Sequence, residues 1–251
     1  MATVVERKSY PADTAAVGEI HSELKEYAIS LGAELYGVAS AEDYAKHFPD
    51  KPQPGRFVQG ASSVIVIGIP FEPSTMSTVL RPELAALRVK ASDQVASQSG
   101  TALGAERFFM AEENALIVRE LTLIAYRLAK FLRQHGWKAL HIPAAKQSDQ
   151  FRTAPFYHMP AMYLAGLGTL GLNCSIITPE FGPRVFVTSI ITDCVLPHGQ
   201  PMKDDLCDHC GLCVQNCPIS AIDGNGWKNP FACASYGCCG TCIAICPAGE
   251  I

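Results

Sequence analysis

The spacing of the cysteines near the C-terminus constrains this chain more than any other feature. Cys207, Cys210, Cys213 and Cys217 follow one another at intervals of two, two and three residues, and Pro218 closes the run. A second set follows: Cys233, then Cys239, Cys242 and Cys246, the last again before a proline, Pro247. Two residues between cysteines let one tight turn aim two thiolates at the same centre. C-x2-C-x2-C-x3-C-P is the bacterial-type iron–sulfur run, whose fourth cysteine ligates the other cluster of a pair. The crossed pattern assigns Cys207, Cys210, Cys213 and Cys246 to one 4Fe–4S cluster, and Cys217, Cys233, Cys239 and Cys242 to a second. Cys238 is the alternative to Cys239; Cys239 is preferred because it alone forms Cys-x2-Cys with Cys242. Zinc sites favour two separated Cys-x2-Cys pairs. Disulfides belong to oxidising compartments, and nothing in the sequence directs the chain to one.

Nine of the eleven cysteines fall between positions 207 and 246, which leaves residues 1–200 for something else. With 48% hydrophobic residues overall, that part is rich enough to bury a sizeable core. A net charge of −4 argues against a nucleic-acid surface. From Lys203 onward five acidic residues stand against two basic ones, before any charge on the clusters, which suits a redox partner with a basic face. The longest apolar run, around Ser63–Phe71, is strand length and well short of the roughly 20 residues that span a bilayer. The N-terminus, Met1-Ala-Thr-Val-Val-Glu-Arg-Lys8, shows no apolar export core and no twin arginine. Oxygen-sensitive clusters in such a chain point to the cytoplasm and away from membranes.

Along the chain, Thr14–Leu31 has the spacing of an amphipathic helix, stopped by Gly32. Ala33–Ala39 reads as a short strand, and residues 48–60 as an irregular loop. Ser63–Phe71 reads as a strand covered on both faces. Residues 72–105 are the least legible, with a helix expected around 82–96. Glu112–Gln134 reads as a long helix with apolar positions Leu116, Leu121, Ile124, Leu128, Phe131 and Leu132, ended by Gly136. Lys138–Ile142 then forms a strand. This alternation predicts an α/β sandwich with mostly parallel strand order. Phe156–Ala165 is a short helix ending at Gly166. Gly166-x-Gly168-x-x-Gly171 matches the dinucleotide fingerprint in form only, because a helix precedes it and prolines follow. Cys174–Thr178 and Arg184–Thr192 are expected to pair as a hairpin around Pro179–Pro183, and residues 197–201 link to the cysteine-rich part. The domain division is therefore 1–200 and 201–251. Cys174 and Cys194 are read as buried small side chains.

The run Ala165-Gly-Leu-Gly-Thr-Leu-Gly-Leu-Asn173, the segment Ile177-Thr-Pro-Glu-Phe-Gly-Pro-Arg184 and the pair Thr192-Asp193 resemble the epoxyqueuosine reductase and reductive dehalogenase superfamily. Residues 33–39, residues 61–72 and Cys233-Ala-Ser-Tyr236 agree in order, so the resemblance spans most of residues 32–247. The cysteine runs are common to many ferredoxins; the glycine run joined to the Pro-Glu-Phe-Gly-Pro-Arg segment is much more specific. Those enzymes are cobalamin-dependent and carry two 4Fe–4S clusters. The resemblance implies a nitroreductase-like, cobalamin-binding α/β sandwich with a C-terminal dicluster ferredoxin-like module. The clusters would deliver single electrons to a corrinoid, and the electrons would come from a low-potential donor of the ferredoxin or flavodoxin type. Gly166, Gly168, Gly171 and Asn173 are the cofactor-binding residues it implies, the glycines letting backbone approach the corrin face. The alternative is that the glycines serve tight turns.

The departures from the family pattern shape the functional expectation. Epoxyqueuosine reductases carry Asp-Thr-x-Pro upstream of the glycine run, with the aspartate as proton donor. Here Arg152-Thr-Ala-Pro155 stands in its place, and an arginine does not release its proton at accessible pH. The family's Gly-Lys-Asn lysine is replaced by Leu172. Arg152, Tyr157 and His158, with Tyr163 nearby, are the catalytic candidates, His158 through a neutral-range pKa. The sequence stops soon after Cys246, where the queuosine enzymes continue into a region that binds transfer RNA, so a small molecule or a corrinoid protein is expected as partner instead. Two main readings follow: a corrinoid-dependent reductase of a small molecule, or an electron-transfer protein that reduces the cobalt of a corrinoid or corrinoid protein. A dicluster ferredoxin fused to an inert domain is a third, which leaves the resemblance of 61–72 and 165–184 unexplained.

Overall fold

The computed structural model describes residues 14–81, 105–144 and 154–249. The helix expected around 82–96, and Arg152, lie outside the described residues.

Helix α1 (Thr14–Ser30) buries Ile20, Leu24 and Ala28, one residue per turn along a single face. Gly32 ends it at φ 103, with Ala33 N reaching back to Ala28 O at 3.0 Å and Gly32 N to Ile29 O at 2.9 Å. This Schellman end satisfies the last carbonyls. Strand β1 (Leu35–Ser40) runs directly into α2 (Ala41–His47), because the Ser40 hydroxyl accepts the Asp43 amide at 3.2 Å and caps the helix. Strand β2 (Ser63–Pro70) is buried along all but its last residue. Pro73 then opens α3 (Pro73–Val79) at a first-turn position, where a missing N–H costs nothing.

Helix α4 (Ala105–Gln134) starts seven residues before its expected boundary, and Gly136 stops it at φ 96. Ile117, Leu121, Ile124, Leu128 and Leu132 are its buried line, whereas Leu116, expected in that line, is 65% exposed. The 3.6-residue period places position 116 on the opposite side from 121 and 128. Strand β3 (Ala139–His141), α5 (His158–Leu164), and the short strands β4 (Thr169–Leu170) and β5 (Ile176–Ile177) come next, followed by β6 (Val185–Thr192).

The main sheet has the order β1-β2-β6-β3, and every neighbouring pair is antiparallel. The expected parallel order is therefore wrong. Helix–strand alternation fixes the layers but not the strand directions, and β6 enters between β2 and β3 from the far end of the domain. The expected hairpin is also replaced. Ile176–Ile177 pairs with Thr169–Leu170 in a separate two-stranded sheet, and only a Thr178–Gly182 bridge links it to the turn before β6.

The α/β class holds. On one face of the sheet Ile65, Ile67, Ile69 and Ile190 pack against α1 and α4; on the other Val64, Val66 and Ile191 pack against α5. The alternation of successive side chains along β2 thus feeds two cores. After β6 come three short helices, α6 (Leu212–Gln215), α7 (Pro230–Ser235) and α8 (Thr241–Ala244). Ala244 and Ile243 reach the core on the α4 side, which ties the cysteine-rich part to the sheet domain. No helix among the described residues is long and apolar enough to cross a membrane.

Candidate functional site

The cysteine-rich part folds into two turns of the same design. In each, a left-handed glycine, Gly211 at φ 75 or Gly240 at φ 76, caps a one-turn helix whose second residue is a cysteine, Cys213 or Cys242. Around each turn four thiols line one cavity. Cys207, Cys210, Cys213 and Cys246 line the first, together with Leu172, Asn173 and Ile177 from the sheet domain. Cys217, Cys233, Cys239 and Cys242 line the second, with Lys228 and Tyr236. The two cavities are alike in size, about 20 Å³ each. The crossed assignment groups the same residues, and Cys239 rather than Cys238 lines the second cavity. Among the described residues no three His, Cys, Asp or Glu side chains converge on the position of a single metal ion. Four thiols around one cavity suit a cubane, whose iron corners each take one thiolate. Burial pushes the Cys213 and Cys246 thiols up and the Cys242 thiol to about 11. Iron must therefore displace protons that these sites otherwise hold.

The first cavity is clamped to the sheet domain by the residues that carry the family resemblance. Thr169 Oγ1 donates to Asp205 Oδ1 at 2.9 Å and accepts the Leu206 amide at 2.9 Å, and Asp205 Oδ1 also accepts the Cys207 amide at 3.0 Å. These bonds hold the Asp205 carboxyl below its usual range. Arg184, 4% exposed, donates from Nη1 to Cys246 O at 2.9 Å and from Nη2 to Ala248 O at 2.6 Å. Asn173, 1% exposed, accepts the Ser175 amide at 3.1 Å and donates to Cys242 O at 3.5 Å. The glycine run packs on the chain itself. A Cβ on Gly166 would stand 2.3 Å from Gln200 O, and one on Gly168 2.2 Å from Ile177 O. Gly166, at φ 72, is also the terminating glycine of α5. Gly171 meets the Ile177 side chain in the same way. These close approaches are those that the tight-turn alternative expects of the glycines, and Asn173 lines the first cavity.

Of the catalytic candidates, Tyr157 and His158 lie among the described residues and make different contacts. His158 begins α5 and points its Nδ1 at Ser189 Oγ, 2.9 Å away on β6; burial pushes its pKa down to about 4. It is neutral at pH 7, contrary to the neutral-range expectation. Tyr157 turns the other way, with its carbonyl accepting from Tyr44 Oη at 3.0 Å and its ring 5.5 Å from Lys51 Nζ. Tyr163 packs edge-on to Phe48.

Sequence reasoning missed the cavity of about 250 Å³ lined by Glu34, Pro70, Phe71, Glu72, Pro73, Phe181 and Arg184. Burial and the nearby Glu72 raise the Glu34 carboxyl pKa. Because Arg184 also holds Cys246 O, this cavity backs onto the first thiol set. The signal lay in the Phe181-Gly-Pro-Arg184 segment, which looked like a turn and a family mark but not like a wall.

Residues 203–223 match the family of 4Fe–4S binding domains. An epoxyqueuosine reductase of Bacillus anthracis is 40% identical over 72 residues, 29% of this chain and 19% of that protein. The tetrachloroethene reductive dehalogenase of Sulfurospirillum multivorans is 25% identical over 282 aligned positions, which take in 94% of this chain and 52% of that one. This chain is similar to epoxyqueuosine reductases and reductive dehalogenases. A solved reductive dehalogenase described as performing B12-dependent dehalogenation shares the fold, with a TM-score of 0.60 at 21% identity over 96% of this chain and 33% of that one. The chain thus spans about half the length of the dehalogenase relative and matches about a fifth of the epoxyqueuosine reductase relative. The clamp of Thr169, Asn173 and Arg184 ties the glycine run and the Pro-Glu-Phe-Gly-Pro-Arg segment to the cysteine-rich part.

Proposed function

We propose that this protein is an iron–sulfur oxidoreductase that holds two 4Fe–4S clusters and passes single electrons to a corrinoid for reductive chemistry on a small molecule. The observation that carries it is the sorting of eight thiols into two four-thiol cavities, the first walled partly by the sheet domain. In this reading residues 1–200 form the acceptor domain and residues 201–251 the cluster module. Electrons from a low-potential donor enter at the second cluster, whose wall belongs to the module. They leave from the first, beside Leu172, Asn173 and Ile177. Bound cobalamin would supply a cobalt centre that takes up electrons one at a time. The chain's own part is to hold the first cluster rigidly against the domain and to keep water from it. The cavity beside Arg184 is the small-molecule site nearest to that cluster loop. Arg152 stays a candidate contact for an anionic group on a substrate. Gly166, Gly168, Gly171 and Asn173 are proposed to form the domain wall against which the corrinoid binds.

The protonation state of His158 favours a second reading, in which the protein reduces the cobalt of a corrinoid or corrinoid protein and has no substrate of its own. A half-buried imidazole that is hydrogen-bonded to Ser189 and has its pKa lowered to about 4 is a poor proton donor at neutral pH, and outer-sphere electron transfer needs none. One experiment tests both. The clusters are reconstituted anaerobically, cobalamin is titrated in, and optical spectra are recorded before and after reduction. Saturable binding with formation of Co(I) supports electron delivery to a corrinoid, and net consumption of a third compound then separates the enzyme from the carrier. An absence of binding at tens of micromolar cobalamin removes the first reading and leaves a carrier that needs a corrinoid-protein partner.

A further inference from the structure

The eight-ligand assignment leaves one thiol of the cysteine-rich part without a role, that of Cys238. Its place is set by the way α7 ends. Gly237 takes φ 80 and Cys238 φ 50. The Gly237 amide donates to Ala234 O at 2.9 Å, and the Cys238 amide reaches back five residues to Cys233 O at 3.0 Å. This is a Schellman end, which lays the side chain three positions past the last helical residue onto one in the final turn. Three other helices end with the same hydrogen bonds and bring together Ala28 with Ala33, Leu132 with Trp137, and Met162 with Leu167. Those residues belong to the two apolar cores. At α7 the same two positions carry thiols, and the Cys233 and Cys238 side chains are hydrogen-bonded to each other.

The adjacent Cys239 is differently placed. It lines the second cavity, with its Sγ 3.3 Å from Thr241 Oγ1. Cys238 and Cys239 are thus not two candidates for one corner. Cys239 lines the cavity itself, whereas Cys238 is hydrogen-bonded to Cys233 and is exposed where Cys233 is half-buried.

We propose that Cys238 is a reserve ligand for the Cys233 corner of the second cluster, taking over the iron when Cys233 is lost or chemically blocked. The exchange is a ligand substitution without electron transfer. The Cys238 thiol gives its proton to solvent and its sulfur bonds the iron; if Cys233 is still present, its sulfur leaves the iron and takes up a proton. The helix end already holds the two thiols within hydrogen-bond reach of each other. The proposal rests on the dicluster reading above.

The test uses the full chain, reconstituted anaerobically, with iron and sulfide counted and the reduced protein examined by EPR. Alanine is used because a serine hydroxyl can itself bind iron. The wild type, C238A and C233A should each hold two cubanes' worth of iron and sulfide, whereas C233A/C238A should fall to one. The first cluster's signal, kept in the double variant, shows that the chain is still folded. A C233A protein that already falls to one cubane overturns the proposal, and so does a double variant that holds as much iron as C233A. Two cubanes in the wild type with one in C233A overturns the reserve ligand alone. One cubane in the wild type overturns the dicluster reading as well.

Discussion

Replacing Arg184 by methionine should release the first cluster while leaving the second in place. The guanidinium is buried and satisfies two carbonyl oxygens, those of Cys246 and Ala248. Cys246 supplies the fourth thiol of the first cavity. Methionine fills much of the same volume but donates nothing, so both carbonyls lose their partner. Each orphaned buried acceptor costs about 1–3 kcal/mol, and part of that returns when the loosened tail admits water. A net loss of about 2–3 kcal/mol at the 246–249 tail is therefore expected, which multiplies the population of the locally open tail by roughly 30-fold to 150-fold. When opening and closing are fast, chelator attack on the cluster scales with that population. The assay is anaerobic mixing with an iron chelator, following the decay of visible absorption. R184M should show a fast phase carrying half of the iron, accelerated by that factor, with the slow phase unchanged. R184K, which keeps one charged donor, should fall between the two proteins. A single slow phase with the wild-type rate would refute the latch. Equal acceleration of both phases would refute its confinement to the first cluster.

Charge placement predicts different midpoints for the two clusters. Lys228 lines the second cavity, and Asp208 accepts the Cys210 amide beside the first. K228Q should lower the second midpoint and D208N raise the first in EPR-monitored titrations, and a shift of the opposite sign in either variant counts against the assignment. His158 sets a pH dependence of stability. Its folded pKa of about 4 lies below the ordinary value near 6.5, so the unfolded chain binds the extra proton between them. Stability is then full above about pH 6.5 and falls by up to about 3 kcal/mol as pH drops to 4. H158Q should flatten that slope in denaturant titrations at pH 5 and pH 7, and an unchanged slope would show that His158 is not its source. On α4, L116K should change stability by less than about 0.5 kcal/mol, whereas L121A should cost about 2–5 kcal/mol. The reverse ranking would mean that the exposed and buried sides of the helix have been confused.

The thiol sets were legible because ligand spacing is a property of single turns. Cys-x2-Cys is set by a left-handed glycine and one helical turn, both within reach of local sequence. The strand β2 was legible for a similar reason, since an unbroken apolar run has few other places to go. Strand direction was not, because the pairing of β2 with β6 joins Ser63 to Thr192, and no local signal carries a partner so far away. The expected hairpin failed on the same ground. The turn at Pro179–Pro183 is real, but Ile176–Ile177 finds a shorter-range partner at Thr169–Leu170. The glycine run was recognisable as a family mark, yet its contacts, Gln200 O, Ile177 O and the Ile177 side chain, come from segments that only the folded chain brings near. Buried carbonyls demand donors, but the donor role of Arg184 depends on where the tail of the cluster module lies.

Asn173 is the point at which the two thiol sets and the domain wall meet. Its side chain lines the first cavity, and its Nδ2 donates to the carbonyl of Cys242, a thiol of the second set. Its Oδ1 is held by the Ser175 amide, so the amide group cannot turn away from that carbonyl without giving up a second bond. A buried amide fixed at both ends is a rigid spacer, and a fixed spacing between two cubanes determines how strongly their electron spins interact. N173L keeps the volume and removes both bonds. The variant should still bind two clusters, since no thiol is touched, but the spin coupling in the fully reduced protein should weaken or broaden. Loss of a cluster in N173L would mean that the residue supports assembly rather than spacing. An unchanged coupled spectrum would mean that the wall from Leu172 to Ile177 holds the separation without it.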